Sequence, residues 1–116
     1  MEYTPDFALT HVGVNPNAMD AVQIASLFGA LLGLPVKEGK SSVFAGTLIE
    51  VMRENYLGEN GHIAFSTASP EAAILWLEAR GFAVEPATAK KDSEGNLKAI
   101  YLKGSFGGFA VHLLKR

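Results

Sequence analysis

Residues 59–67 read ENGHIAFST, a polar turn running into an alternating stretch. A period of two places Ile63 and Phe65 on one face of a strand and His62, Ala64 and Ser66 on the other. His62 is one of 3 histidines in the chain. The others, His11 in LTHVGVN and His112 in FAVHLL, also stand in strand-like runs. Whether three imidazoles meet at one place therefore depends on how the strands around ENGHIAFST are arranged.

Upstream, LTHVGVN (9–15) reads as a strand closed by Asn15-Pro16-Asn17. Asn17 is the expected cap of a helix over AMDAVQIASLFGALL (18–32), with Asp20 in its first turn. The 3.6-residue period puts Ala21, Ile24, Ala25, Phe28, Leu31 and Leu32 on the inner side, and Gly33 stops the helix. PVKEG, SSVFA and TLIEVM follow as three short extended runs. Downstream the order repeats. After GHIAFST, Ser69-Pro70-Glu71 opens a second helix over AAILWLEAR, with Ala73, Ile74, Trp76 and Leu77 inward and Gly81 at its end. FAVEP, LKAIYLK and GFAVHLL are the second set of extended runs, with DSEGN as a turn between the first two. Gly46 lies four residues before Glu50, and Gly108 four before His112. The chain thus reads as two strand–helix–three-strand modules, about 8–55 and 61–115, joined near Tyr56–Asn60.

The totals bound the function. A chain of 116 residues predicts a single domain, 1–116, able to bury a core without staples. A formal charge of −2 and a sequence pI near 5.9 leave no basic stripe for nucleic acid. The absence of cysteine excludes thiolate catalysis and Cys-rich zinc sites, and fits a cytoplasmic setting. MEYTPDFALT has neither a basic n-region nor an apolar h-region, so no signal peptide is expected, and no apolar stretch is long enough to span a membrane.

On the strands, His11 shares a face with Gly13 and Asn15, His62 with Ala64, Glu50 with Leu48 and Met52, and His112 with Ala110 and Leu114. Small residues beside polar ones leave a hollow. Three imidazoles and a carboxylate converging there would bind a divalent metal such as Zn, Ni, Fe, Co or Mn. The plainer alternative is four unrelated polar residues on half-exposed strands. Ser41, Ser42 and Ser105 have no neighbouring base in sequence to make a nucleophile. Trp76 and Tyr101 read first as packing residues, with Tyr101 and Met52 the candidate substrate contacts.

HVGV, GLPV, GHIAF and GGFAVHLL, set in the doubled unit, resemble the vicinal oxygen chelate superfamily of glyoxalase I, extradiol dioxygenases, fosfomycin-resistance enzymes and bleomycin-binding proteins. The resemblance runs from about Leu9 to Leu114. It implies an α+β fold in which two βαβββ modules form a curved mixed sheet around a central cavity. It also implies metal ligands His11, Glu50, His62 and His112, with Glu50 as the proton-moving group. IEVM, NGHIA, AIYLK and GGFAVHLL are similar to glyoxalase-like domains associated with 2-keto-3-deoxy-6-phosphogluconate aldolases, which implies a sugar-acid aldolase as a separate partner.

His112 departs from the glutamate usual at the last-strand position, so the extradiol dioxygenase pattern is not reproduced. The expected function is a metal-dependent isomerase or lyase acting on a small vicinal-oxygen carbonyl or 2-keto acid. The alternative is a non-catalytic binding or aldolase-associated regulatory module of the same fold. A homodimer is expected, because related chains often complete their cavity from two subunits and because sheet edges invite pairing. Metal affinity is expected to fall below about pH 6.5, where imidazoles take protons.

Overall fold

The computed structural model describes residues 3–116. In chain order the elements are β1 (Ala8–Val14), α1 (Ala21–Leu32), β2 (Val36–Glu38), β3 (Ser42–Ala45), β4 (Ile49–Met52), β5 (Gly61–Thr67), α2 (Pro70–Glu78), β6 (Val84–Lys91), β7 (Leu97–Leu102) and β8 (Phe109–Lys115). All eight strands form one mixed sheet in the order β2-β3-β4-β1-β5-β8-β7-β6. From the centre outward each half runs in the same sequence: first strand, last strand, then the two between. β1 is parallel to β4 and β5 is parallel to β8, while β1 and β5 meet antiparallel at the centre. The halves therefore join edge to edge within one chain.

Both helices lie over apolar strand faces, and each covers its own core. Ala21 and Ala25 of α1 pack on Val43 and Val51, with Val14 and Ile49 alongside. Leu77 of α2 packs with Leu97, Ile100, Leu102 and Leu113, flanked by Phe65, Ile74, Trp76 and Val111. The residues facing the helices are those that alternation assigned to the apolar face. The imidazoles are left on the other face.

Three local expectations change. Asn17 is not the helix cap: it and Ala18 take left-handed angles (φ 50 and 70), and the Asn17 side chain pairs with Asn55. Asp20 caps α1 instead, accepting from the Val22 amide, so the helix starts later. Leu31 and Leu32 do not reach the core and are 77% and 48% exposed. The buried stripe of α1 is Ala21, Ala25 and Gly29, and these small residues bring the helix close to the chain that follows it. A Cβ at Gly29 would sit 2.8 Å from the Leu34 carbonyl oxygen. Finally, the FAVEP run extends to Lys91. Pro86 is tolerated because β6 is the edge strand and its pairing with β7 slips between Glu85 and Lys90. Gly33 as left-handed cap of α1, Ser69 as cap of α2 and Pro70 in its first turn are as expected.

The segment between the halves is held by Asn15, which is buried at the end of β1. Its amide nitrogen donates to the carbonyls of Gly58 (2.7 Å) and Tyr56 (3.3 Å), and its oxygen accepts from the Tyr56 amide (3.1 Å). Replacing Asn15 by Ala removes all three bonds and leaves a void where the buried amide stood, so the segment loses its tie to β1. The expected cost is about 2–3 kcal/mol of unfolding free energy, measured by urea denaturation.

Candidate metal centre

The sheet register builds the site from two adjacent rows of side chains. In one row Phe44 stands opposite Glu50, Glu50 opposite Gly13, Gly13 opposite His62, and His62 opposite Ala110. In the other His11 stands opposite Ala64, Ala64 opposite His112, and His112 opposite Tyr101. Each imidazole thus has Gly or Ala as its neighbour on an adjoining strand. Strands lie about 4.8 Å apart, so groups two strands apart touch only above a small residue. Gly13 is that residue for Glu50 and His62: a Cβ there would overlap the His62 ring. Ala64 does the same for His11 and His112. A register irregularity in β1 between Leu9 and His11 re-aims the chain just before His11, a common place for a bulge.

The three histidines offer ring nitrogens that all lie within 4.8 Å of one another. Glu50 Oε1 is 3.2 Å from His11 Nε2 and 3.1 Å from His62 Nε2, and those two nitrogens are 3.3 Å apart. Tetrahedral zinc–nitrogen bonds of about 2.0–2.1 Å place ligand atoms about 3.3 Å from each other. The triangle of donors therefore has the edge length that one small cation would impose. His62 is 1% exposed. Its Nδ1, and Nδ1 of His112, are buried without a hydrogen-bond partner, an unfavourable arrangement for polar atoms in a fold otherwise well paired. Neutral imidazole and carboxylate suit a divalent transition metal, so the residues present fit one.

The surroundings set the protonation states. Burial raises the Glu50 carboxyl, but hydrogen bonds from His11, His62 and Ser42 outweigh it and hold the group well below the ordinary carboxylate range. Burial, reinforced by the charges of His62 and His11, pushes His112 down to about 4. His112 thus stays neutral well below pH 6.5. Burial, then the Glu50 and Tyr56 charges, pushes the Tyr101 phenol above its ordinary value and keeps it neutral.

Among the expected substrate contacts, Tyr101 lies at the site: its ring stacks on His112 with centroids 4.0 Å apart and planes 4° from parallel. Tyr56, fixed by Asn15, meets Tyr101 edge-on at 5.5 Å. Met52, opposite Ser42, lines an adjoining cleft of about 500 Å³ with Lys40, Ser41, Arg53 and Tyr56. Ser42 was missed as part of the site. Its hydroxyl donates to Glu50 Oε2 at 2.8 Å and fixes the carboxylate oxygen that the histidines leave alone. The signal was the short turn between SSVFA and TLIEVM, whose pairing sets Phe44 against Glu50 and Ser42 one step along the same face.

No family model matches the chain, and no curated protein matches it. Solved structures do. A hypothetical protein, BH1468 from Bacillus halodurans C-125, is 15% identical with a TM-score of 0.64, covering 96% of this chain and 95% of its own. The methylmalonyl-CoA epimerase from Mycobacterium tuberculosis is 14% identical with a TM-score of 0.62, over 99% of this chain and 92% of that one. A methylmalonyl-CoA epimerase in complex with methylmalonyl-CoA and NH4+ is 17% identical with a TM-score of 0.60, over 93% and 95%. The likeness establishes the fold. The chain has the glyoxalase-like α+β arrangement.

Two outcomes are expected. A Gly13→Ala substitution should displace the His62 ring and lower stability by about 1–3 kcal/mol, read by urea unfolding. The unfolded chain takes up a proton near pH 6.5 that folded His112 refuses until about pH 4, so it binds more protons than the folded state between these values. Stability of the metal-free protein should then fall as pH drops through this window, by on the order of 3 kcal/mol. Urea titrations across pH should show that slope, and His112→Gln should flatten it.

Proposed function

We propose that this chain is a cytoplasmic, metal-dependent enzyme of the vicinal oxygen chelate superfamily, an isomerase or lyase for a small vicinal-oxygen carbonyl or 2-keto acid. The observation that carries this is the donor triangle of His11, His62 and Glu50, with edges of 3.1 to 3.3 Å and His112 beside it. His11, Glu50, His62 and His112 would hold the cation. When bound, a divalent cation supplies Lewis acidity toward two adjacent substrate oxygens. Three neutral imidazoles and one carboxylate leave about one positive charge on such a centre, which favours an anionic oxygen pair. Glu50 takes and returns the proton at the carbon beside that pair, while Ser42 steadies its second oxygen. Tyr101, stacked on His112, forms part of the wall against which the substrate lies.

One observation favours the non-catalytic reading, a small-molecule-binding or regulatory module. A carboxylate as strongly stabilised as Glu50 is a weak base. Incubating the metal-loaded protein with pyruvate in deuterium oxide separates the two. Deuterium entering the pyruvate methyl group, and lost with Glu50→Gln while the variant still holds its metal, supports the enzyme. Tight pyruvate binding without exchange selects the module.

A homodimer and a separate sugar-acid aldolase partner belong to the same proposal. Support for self-association comes from the apolar residues that α1 leaves in water, Leu27 and Leu31 at 63% and 77% exposed. Light scattering at tens of micromolar should give twice the chain mass. For the centre itself, a competitive zinc titration is the decisive measurement. His11→Ala, His62→Ala and His112→Ala should each weaken affinity at least tenfold with circular dichroism unchanged. Affinities equal to wild type in all three would remove the metal site.

A further inference from the structure

The cleft of greatest volume described, about 760 Å³, is lined by Lys90, Lys91, Lys98 and Lys115, with Asp92, Ala99 and Leu114. Of the four lysines, Lys90 and Lys98 border the hollow on the face of the histidines, while Lys91, opposite Leu97, and Lys115, bonded to the Ala68 carbonyl, turn toward the helix side, in a chain whose net charge is −2. Ala99 pairs with Leu114 and Tyr101 pairs with His112, so the cleft floor continues the row beyond the site on the same sheet face. Two residues along a strand span about 7 Å. Lys90 stands opposite Ala99, on that face.

Local backbone geometry brings Lys98 round to the side of Lys90. Lys91 pairs with Leu97 and Lys90 with Ala99, leaving Lys98 as the extra residue of a bulge. A bulge of this kind turns a side chain that simple alternation would send to the opposite face. The Asp92 carboxylate, the one acidic group lining the cleft, is committed to the turn, accepting from the Glu94 and Asn96 amides at 2.9 Å each. Lys115 Nζ donates to the Ala68 carbonyl. Among the described residues Lys90, Lys91 and Lys98 form no salt bridge.

We propose that this cleft is the phosphate subsite of the metal centre, and that the substrate is a phosphorylated small carbonyl or hydroxy acid. Its vicinal oxygens lie at the histidines, and its phosphate about 7 Å or more away between Lys90 and Lys98. The inference rests on the metal-centre reading for the first half of the substrate only. Lysine ammoniums bind a phosphate dianion as point charges, each donating to its acceptor oxygens. The volume lies within the range of small-ligand pockets.

The test is an amide chemical-shift titration of metal-free and zinc-loaded protein with inorganic phosphate, glycerate and 3-phosphoglycerate. The last carries a carboxylate and neighbouring hydroxyl at one end and a phosphate at the other. Inorganic phosphate should shift the Lys90, Lys98 and Ala99 amides even without metal, and Lys90→Ala/Lys98→Ala should weaken it at least tenfold. Zinc-loaded protein should bind 3-phosphoglycerate at least tenfold more tightly than glycerate, an advantage lost in the double variant and kept in Lys37→Ala/Lys103→Ala. Equal phosphate affinity in wild type and double variant, or no advantage of 3-phosphoglycerate over glycerate, overturns the proposal. Because the phosphate arm is read without metal, a failure of the metal centre registers separately, as absent zinc uptake with phosphate binding intact.

Discussion

Glu50 and His62 stand on strands that are not neighbours, and they touch because Gly13 between them has no side chain. The other distances in the site follow from this clearance. Once His62 leans over Gly13, its Nε2 reaches both Glu50 and His11, and Ala110 and Ala64 keep the adjoining positions low. Placing a carboxylate and three imidazoles on one sheet face carries a desolvation cost, tolerable only when the groups satisfy one another or a shared ion. The central antiparallel pairing of β1 with β5 is what brings them into reach. A slip of one residue in that pairing would send His62 to the helix side.

Much of this was legible in the sequence. The alternation in HVGV, HIAF and FAVHLL assigned the imidazoles and the small residues to one face, and the repeated order of elements put them near the centre of a doubled unit. The parts that were not legible depend on contacts distant in sequence. Asn17 has the chemistry of a helix cap, yet Asn55 holds it in a left-handed turn, which no local pattern reveals. Leu31 and Leu32 satisfy the helical period, but α1 settles on Ala21, Ala25 and Gly29 because small residues allow closer approach than leucine does. Ser42 could be placed against Glu50 only by fixing the register of a hairpin, one step further than alternation goes.

Rigidity at the site is supplied from outside it. Asn15 holds the connecting segment, that segment presents Tyr56, Tyr56 meets Tyr101 edge-on, and Tyr101 lies flat on His112. The junction between the halves and the orientation of one imidazole are therefore a single mechanical unit. Ring nitrogens drawn from two halves need such a brace to keep separations as short as 3.3 Å.

An open eight-stranded sheet has two free edges, and each is a template on which another chain could add a strand. At one end, β2 is only 3 residues long. At the other, Pro86 in β6 removes a backbone donor, and the slipped pairing beside it twists the edge out of line. Neither border offers the long, flat ladder from which fibrils grow. The proline that interrupts β6 thus works against the addition of a further strand at that border.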